Sequence, residues 1–421
     1  MRDFAGTILG KLIRLGLAFR RRGGQALPGL IIESLFPGYV PSMLQRLPEG
    51  VVIITGTNGK TTTTKIVVEI LKSQGKRVLT NSTGSNLVRG IASSLSQHAK
   101  LSGKLPFDMA VLEVDEATAR LLVRGVKPRW VVGLNVSRDQ LDRFGEVDTI
   151  AGYVGDAMSA ATEGIVTNAG DPHLLKQASS RKVPVHFFGA AKSLSKFFPN
   201  DYELAAVDKN LSAPEAEGPI EVELSAFSGR AATYKVGGKQ YQSELKLTGQ
   251  HNFLNGAAAL ALCRQLLPET PVENLVQGLS NVSLAFGRGE KYILKNGTEI
   301  ELVLVKNPAS FTQALSSYSG DANLMIAIND NIADGRDVSW LWDVNFSPLT
   351  SQKIALTSGS RAVDIALRLQ YDDIKVSTIE PDLAKAVRLL SDQSGPKIIL
   401  STYTAMLQLY KLLSGHGRRV L

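Results

Sequence analysis

Apolar residues along the chain fall into short unbroken runs separated by longer amphipathic stretches, and that alternation sets the expected architecture. Residues 51–54, 107–114 (FDMAVLEV), 130–136 (WVVGLNV) and 165–168 read as strands covered on both faces, with a shorter one at 77–80. Between them the period changes to that of a helix. From Lys60 onward Ile66, Val67, Ile70 and Leu71 form one stripe that Gly75 stops, and a second helix starts near Leu87. Strand and helix in turn predict an α/β fold on a parallel sheet. The rhythm returns after residue 286, with strands at 302–306, 323–329, 354–357 and 397–401 and helices at 361–369, 381–390 and 404–413, a Rossmann-like unit. Residues 200–247 differ, with β-type segments at 220–224, 231–236 and 241–247 separated by Gly, Ser and Pro, and read as an antiparallel insertion or edge ribbon.

The first 46 residues stand apart. Ile8, Leu12, Leu15 and Phe19 recur at helical spacing, Lys11 and Arg14 interrupt any continuous apolar span, and Arg20-Arg21-Arg22 follow. This predicts a basic amphipathic helix that does not cross a membrane, whose apolar face either docks on the neighbouring domain or also favours an anionic membrane surface. No small-residue cleavage site follows a clean apolar core, so a signal peptide is not expected. Gly23-Gly24, Pro28-Gly29, Pro37-Gly38 and Pro41 read as a turn-rich connector.

At 421 residues the chain exceeds one core and divides into a segment at 1–46, a nucleotide domain at 47–285 and a C-terminal domain at 286–421. Its single cysteine, Cys263, excludes a disulfide framework and a cysteine-rich zinc site, and fits a reducing cytoplasm. The residue lies in the apolar helix ALALCRQLL and reads as a buried structural thiol. The net charge of +8 points to phosphorylated substrates or an anionic surface. Nucleic acid is not expected, because no long basic run is interleaved with aromatics.

The candidate chemistry centres on VVIITGTNGKTTTT, residues 51–64. A strand feeding a helix through Gly56 and Gly59 aims backbone N–H groups of Thr57, Asn58, Gly59 and Lys60 at the helix N-terminus, a phosphate cradle. Lys60, the candidate catalytic cation, would reach the terminal phosphates, and the hydroxyls of Thr61 and Thr62 open the helix, with Thr61 placed to ligate Mg²⁺. The first glycine stands three residues before the second, not the five of the full phosphate-loop pattern. On the run 107–114, Glu113 and Asp115 share a side by strand alternation, at the end of the sheet where open α/β folds bind ligands and where a carboxylate can hold Mg²⁺.

These residues carry a resemblance. Gly56-Thr57-Asn58-Gly59-Lys60-Thr61-Thr62 is similar to the ATP loop of the Mur ligase superfamily, the ATP-dependent amide-forming enzymes of peptidoglycan synthesis, with folylpolyglutamate synthases as cousins. The resemblance implies that Glu113 is a magnesium ligand and that Asn252 and Asn255, in the block from Gly249 to Ala259, approach the adenine. It also implies that Arg288, in Phe286-Gly287-Arg288-Gly289-Glu290, contacts ATP from a linker. Asn168 is a further nucleotide candidate. Gln140 stands where the amino-acid-adding enzymes carry a metal-binding His, and Lys306 takes a second His place.

The stretch from Asn329 to Asp343, with Arg138-Asp139-Gln140 and Thr402-Tyr403-Thr404-Ala405-Met406, resembles one branch, the Mur-ligase-like MurT subunits of lipid II isoglutaminyl synthases. That branch implies ATP-dependent amidation of the D-glutamate α-carboxylate of the lipid II stem peptide at the inner face of the bacterial membrane. Ammonia would come from a GatD-type glutaminase in a heterodimer. Its catalytic residues would be completed by an Asp of this chain, for which Asp337 is the first candidate and Asp334 and Asp343 the alternatives. Trp340 and Trp342, beside that loop, read as core residues or as interface anchors. Many relatives carry a four-cysteine zinc ribbon, which the cysteine count excludes here, and the UDP-binding first domain of the amino-acid-adding enzymes is not expected. The alternatives are a stand-alone amino-acid ligase of the Mur or folylpolyglutamate type, and a nucleotide-binding scaffold that makes no amide.

Overall fold

The computed structural model of the chain describes residues 2–19, 27–81, 87–137, 147–179, 181–198, 215–246, 249–282, 288–317, 322–349 and 354–419. The chain forms two compact units. One comprises Met1–Val136, Val147–Lys246 and Asn252–Val282, the other Ser137–Glu146, Leu247–His251 and Ser283–Leu421.

The first unit opens with three helices, α1 (Arg2–Phe19), α2 (Leu27–Leu35) and α3 (Tyr39–Leu44). The last two replace the expected connector. Pro28 lies in the first turn of α2 and Pro41 in that of α3, where the missing N–H has no intrahelical acceptor to lose. Gly29 is in α2 because the helix lies against backbone: a Cβ there would stand 1.7 Å from the carbonyl oxygen of Arg89. Glycine and proline that read as turn signals are here a packing device and a helix start.

The sheet follows, with β1 (Val51–Thr55), α4 (Lys60–Ser73), β2 (Val78–Leu79), α5 (Val88–His98), β3 (Met109–Glu113), α6 (Glu116–Leu122), β4 (Trp130–Gly133), α7 (Val147–Ser159), β5 (Gly164–Asn168), α8 (Pro172–Ala178) and β6 (Val185–Ala190). It continues through β7 (Ile220–Ser228), β8 (Ala231–Val236) and β9 (Lys239–Glu244) before α9 (His251–Leu266) and α10 (Val272–Ser280). Strand order is β2-β3-β1-β4-β5-β6-β7-β8-β9. Every pair from β2 to β7 is parallel and only the last two are antiparallel, so the β-rich stretch extends the main sheet rather than forming a separate insertion. The hydroxyl of buried Tyr234 on β8 donates to the carbonyl of Phe253, which ties the extension to α9.

The second unit holds β10 (Arg288–Leu294), β11 (Glu299–Leu304), α11 (Pro308–Ser317), β12 (Asn323–Ala327), β13 (Ile354–Ser358), α12 (Ala362–Tyr371), β14 (Val376–Ile379), α13 (Leu383–Ser391), β15 (Lys397–Ser401), α14 (Tyr403–His416) and β16 (Gly417–Arg419). Its sheet runs β14-β13-β12-β15-β11-β10-β16, parallel through β11 and antiparallel at the edge that β10 and β16 form. Two apolar layers cover its faces, one around Phe311, Trp340 and Phe346 and the other around Tyr292, Met325 and Leu409.

Candidate active site

The loop between β1 and α4, the candidate phosphate cradle, is built by backbone that only glycine permits. Gly56 has φ +125° and a Cβ there would stand 2.8 Å from the carbonyl oxygen of Asn135; Gly59 has φ +88° and its Cβ would stand 2.3 Å from Asn255 Oδ1. Gly59 is also the residue before α4 and supplies no side-chain cap, so the first N–H groups of the helix keep no side-chain partner from that position. Buried Thr62 carries a hydroxyl without a hydrogen-bond partner among the described residues. An uncapped helix start, a loop with no space for a Cβ and an unanswered buried hydroxyl fit a bound phosphate group.

Lys60 is buried. Its Nζ donates to the carbonyls of Gly56 at 2.5 Å and Thr57 at 3.2 Å and lies 3.6 Å from Glu116 Oε2. Its Nζ is therefore held over its own loop beside a carboxylate. Thr61 faces outward, and its Oγ1 donates to Glu113 Oε1 at 2.8 Å. The two oxygens expected to hold Mg²⁺ thus come from different elements, the start of α4 and the end of β3, and meet. Two hard oxygen donors on the rim of a phosphate loop suit that ion, which keeps most of its ligands as water and phosphate.

Asp115 is not a partner in this pair. The strand ends at Glu113, and Asp115 caps α6 by accepting from the N–H of Thr118 at 2.7 Å. Alternation along a continued strand placed it beside Glu113; the helix start takes it away.

Three residues without an assigned role in the sequence hold the site. Asn81 fixes the end of β3 twice, its Nδ2 donating to the Glu113 carbonyl at 2.7 Å and its Oδ1 accepting from the Glu113 N–H at 2.9 Å. Asn135 does the same for the loop, with its Oδ1 accepting from Asn58 N–H at 2.9 Å and its Nδ2 donating to the Asn58 carbonyl at 3.0 Å, while its own carbonyl takes the Thr57 N–H at 2.8 Å. Glu116 is the ion-pair partner of Lys60. For Asn135 the sequence shows only a place near the end of the apolar run 130–136, and the fold shows that it reaches the loop.

Asn252 and Asn255 are buried on α9 and linked, Asn255 Nδ2 donating to Asn252 Oδ1 at 3.3 Å, and Asn255 rests on Gly59. Asn168 is engaged locally, donating to the Leu134 carbonyl and accepting from Gly170 N–H. Arg288 opens β10, but its side chain, like Gln140, lies outside the described residues. Burial pushes the Cys263 thiol far above its ordinary pKa, which leaves it inert.

In the second unit two of the three stretches singled out in the sequence, Asn329–Asp343 and Thr402–Met406, converge at the carboxyl ends of β12 and β15, while Arg138-Asp139-Gln140 lies outside the described residues. The Asn329 N–H donates to Thr402 Oγ1 at 2.8 Å, and Asn331 Nδ2 donates to Thr404 Oγ1 at 2.8 Å. Asp334 is buried and accepts from Thr404 through both its N–H, at 2.7 Å, and its hydroxyl. Desolvation raises the Asp334 pKa despite those bonds. Asp330 goes the other way, held low by the hydroxyl of Ser360 and by Arg361. Asp337 is half-buried and accepts from the Ser339 N–H at 2.8 Å, and Asp343 is exposed. Of the three aspartates, Asp334 is the one bonded to the Thr402–Met406 stretch through Thr404. The tryptophans part as well: Trp340 packs on Phe311 in the core, whereas Trp342 is 52% exposed, edge-on to Tyr371 and beneath Arg368.

Comparison with known proteins places both units. The family model of the Mur ligase middle domain matches residues 54–263 and that of the MurT ligase C-terminal domain residues 304–406. Subunit MurT of the glutamine-hydrolysing lipid II isoglutaminyl synthase of Staphylococcus aureus (strain COL) is 29% identical over 98% of each chain. The subunit of the same name from Streptococcus pneumoniae is 29% identical over 93% of this chain and 92% of its own. Among solved structures, the MurF ligase of Thermotoga maritima in complex with ADP superposes with a TM-score of 0.68 at 18% identity, over 91% of this chain and 84% of its own.

Proposed function

Because the chain belongs to the Mur ligases, in their MurT branch, we propose that it is the ATP-dependent synthetase subunit of a lipid II isoglutaminyl synthase. A carboxylate does not react with ammonia at neutral pH until one oxygen becomes a leaving group. An oxygen of the D-glutamate α-carboxylate attacks the γ-phosphorus of ATP, ADP departs, and an acyl phosphate forms. The nitrogen of ammonia then adds to the acyl carbon, phosphate leaves, and a proton is lost, giving the D-isoglutamine amide. Phosphoryl transfer needs positioning and charge neutralisation more than covalent help from protein. The loop from Gly56 to Thr62 orients the phosphates through its N–H groups, Lys60 supplies the buried positive charge, and Arg288 is the candidate for a planar fork on the phosphates. Asn252 and Asn255 serve the adenine side. Thr61 and Glu113 would hold Mg²⁺, which when bound offsets charge on the β- and γ-phosphates.

Ammonia comes from a separate GatD-type glutaminase, because Cys263 is buried and inert. Asp337 is the first candidate for the residue that orients the imidazole of that partner, with Asp343 next and Asp334 disfavoured by its bonds to Thr404. With a lipid-linked substrate and product and ATP as phosphoryl donor, the proposed reaction runs at the membrane on its cytoplasmic side.

The observation that carries this reading is the meeting of Thr61 and Glu113, 2.8 Å apart, at the mouth of a glycine-built loop in a chain that matches MurT relatives along its length. The test is ATP turnover with lipid II and glutamine, with and without a glutaminase, and then with ammonium in place of glutamine. Amidation that needs the glutaminase with glutamine but not with ammonium supports the assignment. Incorporation of an amino acid without any nitrogen donor would overturn it in favour of a stand-alone ligase, and nucleotide binding with no amide product would leave only a scaffold.

A further inference from the structure

The N-terminal helix is mounted in reverse of an ordinary surface helix. Its small and polar side chains face the protein: a Cβ on Gly10 would stand 2.6 Å from Ser96, the Thr7 hydroxyl is 2.9 Å from that of Tyr39, and Asp3 accepts from Ser42 and Arg46. Lys11 Nζ donates to the Gln97 carbonyl, and Arg14 bonds Gln97 and Ser93 on α5. What faces outward is apolar. Phe4 is 49% exposed, Leu12 59% and Leu15 67%, with Ala5 exposed and Ile8 half-buried between them. At 100° per residue these positions lie on one side of the helix, with no charged residue among them. On α2, which packs against α1, Leu27, Leu30 and Leu35 are exposed as well. Of the expected stripe, Leu12 and Leu15 are turned away from the domain and Ile8 is half-buried.

We propose that this outward face of α1 lies flat in the headgroup layer of an anionic bilayer and holds the chain on the surface that carries its substrate. The second half of that statement rests on the function proposed above; the first does not. Charge selects the occupant. Residues 1–46 hold seven Lys and Arg against two Asp and Glu, so five of the eight net positive charges of the chain fall in its first 46 residues. An apolar helix face within a basic segment is the arrangement that anionic lipid favours, since buried apolar area and attraction to the headgroups add. Among the described residues no helix is long and apolar enough to cross a membrane.

The test is co-sedimentation of the full-length chain with phosphatidylcholine vesicles and with vesicles containing 30% phosphatidylglycerol. The double variant Leu12→Gln/Leu15→Gln keeps helix-forming side chains while removing the exposed apolar ones. The wild type is expected to bind the anionic vesicles, and the variant to bind them at least tenfold more weakly with an unchanged unfolding midpoint. Absence of binding by the wild type, or equal binding by the two, overturns the proposal. So does a variant that dissolves a dimer or releases a co-purified glutaminase while vesicle binding stays the same, because the face is then a protein interface. Amidation of detergent-solubilised lipid II separates the two readings: it should be equal in the wild type and the variant, and its absence in both would count against the proposed reaction without touching the vesicle result.

Discussion

Replacing Asn135 with alanine would test whether the phosphate loop is held from outside. Two side-chain hydrogen bonds, at 2.9 and 3.0 Å, join Asn135 to the N–H and carbonyl of Asn58, the residue before Gly59. The variant keeps the third bond, Thr57 N–H to the Asn135 carbonyl, because that acceptor is backbone. At about 1 kcal/mol net for each lost bond, the loop would lose roughly 2 kcal/mol of ordering. If that free energy is needed to present the cradle, ATP affinity falls by about 30-fold, since about 1.4 kcal/mol is tenfold. Calorimetric titration with a non-hydrolysable ATP analogue measures the loss directly. In turnover, KM for ATP should rise by a similar factor with a smaller change in kcat, as expected of a positioning residue that touches neither phosphate nor carboxylate. Asn135→Asp keeps the acceptor for the Asn58 N–H but not the donor, and should fall between wild type and alanine before any added repulsion from phosphate. An alanine variant that binds the analogue within threefold of wild type, with a folded state of unchanged stability, would show that Gly56 and Gly59 shape the loop unaided.

Gly59→Ala should abolish ATP turnover, because a side chain there meets both a left-handed φ of +88° and Asn255 at 2.3 Å; ATP-analogue binding within tenfold of wild type would contradict this. Thr61→Val and Glu113→Gln should each raise the Mg²⁺ concentration needed for half-maximal turnover, and the double variant should cost less than the two singles combined because their oxygens share one hydrogen bond. Strict additivity would separate them. Gly29→Ala should destabilise the first unit by roughly 2 kcal/mol or more, read from urea unfolding, since its Cβ would overlap the Arg89 carbonyl and neither backbone can move aside cheaply. Burial raises the Asp334 pKa, so the folded state binds the proton more tightly than the unfolded one. That contribution to stability is present at acid pH and declines as pH rises from the ordinary carboxylate range through the raised value. Asp334→Asn should flatten this part of the pH–stability curve, and an unchanged slope would assign it to another group.

Local pattern determined a great deal. The buried strands at Val51–Thr55, Met109–Glu113 and Lys397–Ser401, the glycine-built turn from β1 into α4, and the α/β alternation of both units follow from hydrophobic period and glycine placement, which are properties of neighbours in the chain. The same reasoning misread Pro28 and Gly29 as a turn and continued a strand through Asp115. In both cases the deciding partner, the Arg89 carbonyl or the Thr118 N–H, became available only once helices were in place. It also missed Val185–Ala190 and Val376–Ile379, short strands whose pairing comes from parallel neighbours distant in sequence. Tertiary structure alone decided that Asn135 and Asn81 brace the loop and Glu113, that Asp334 is tied to Thr404 while Asp337 is not, and that Leu12 and Leu15 of α1 turn outward. A periodic stripe shows that a helix has an apolar side, but which side meets the protein depends on how closely two backbones can approach, and here Gly10 and Ser96 allow that approach on the opposite face.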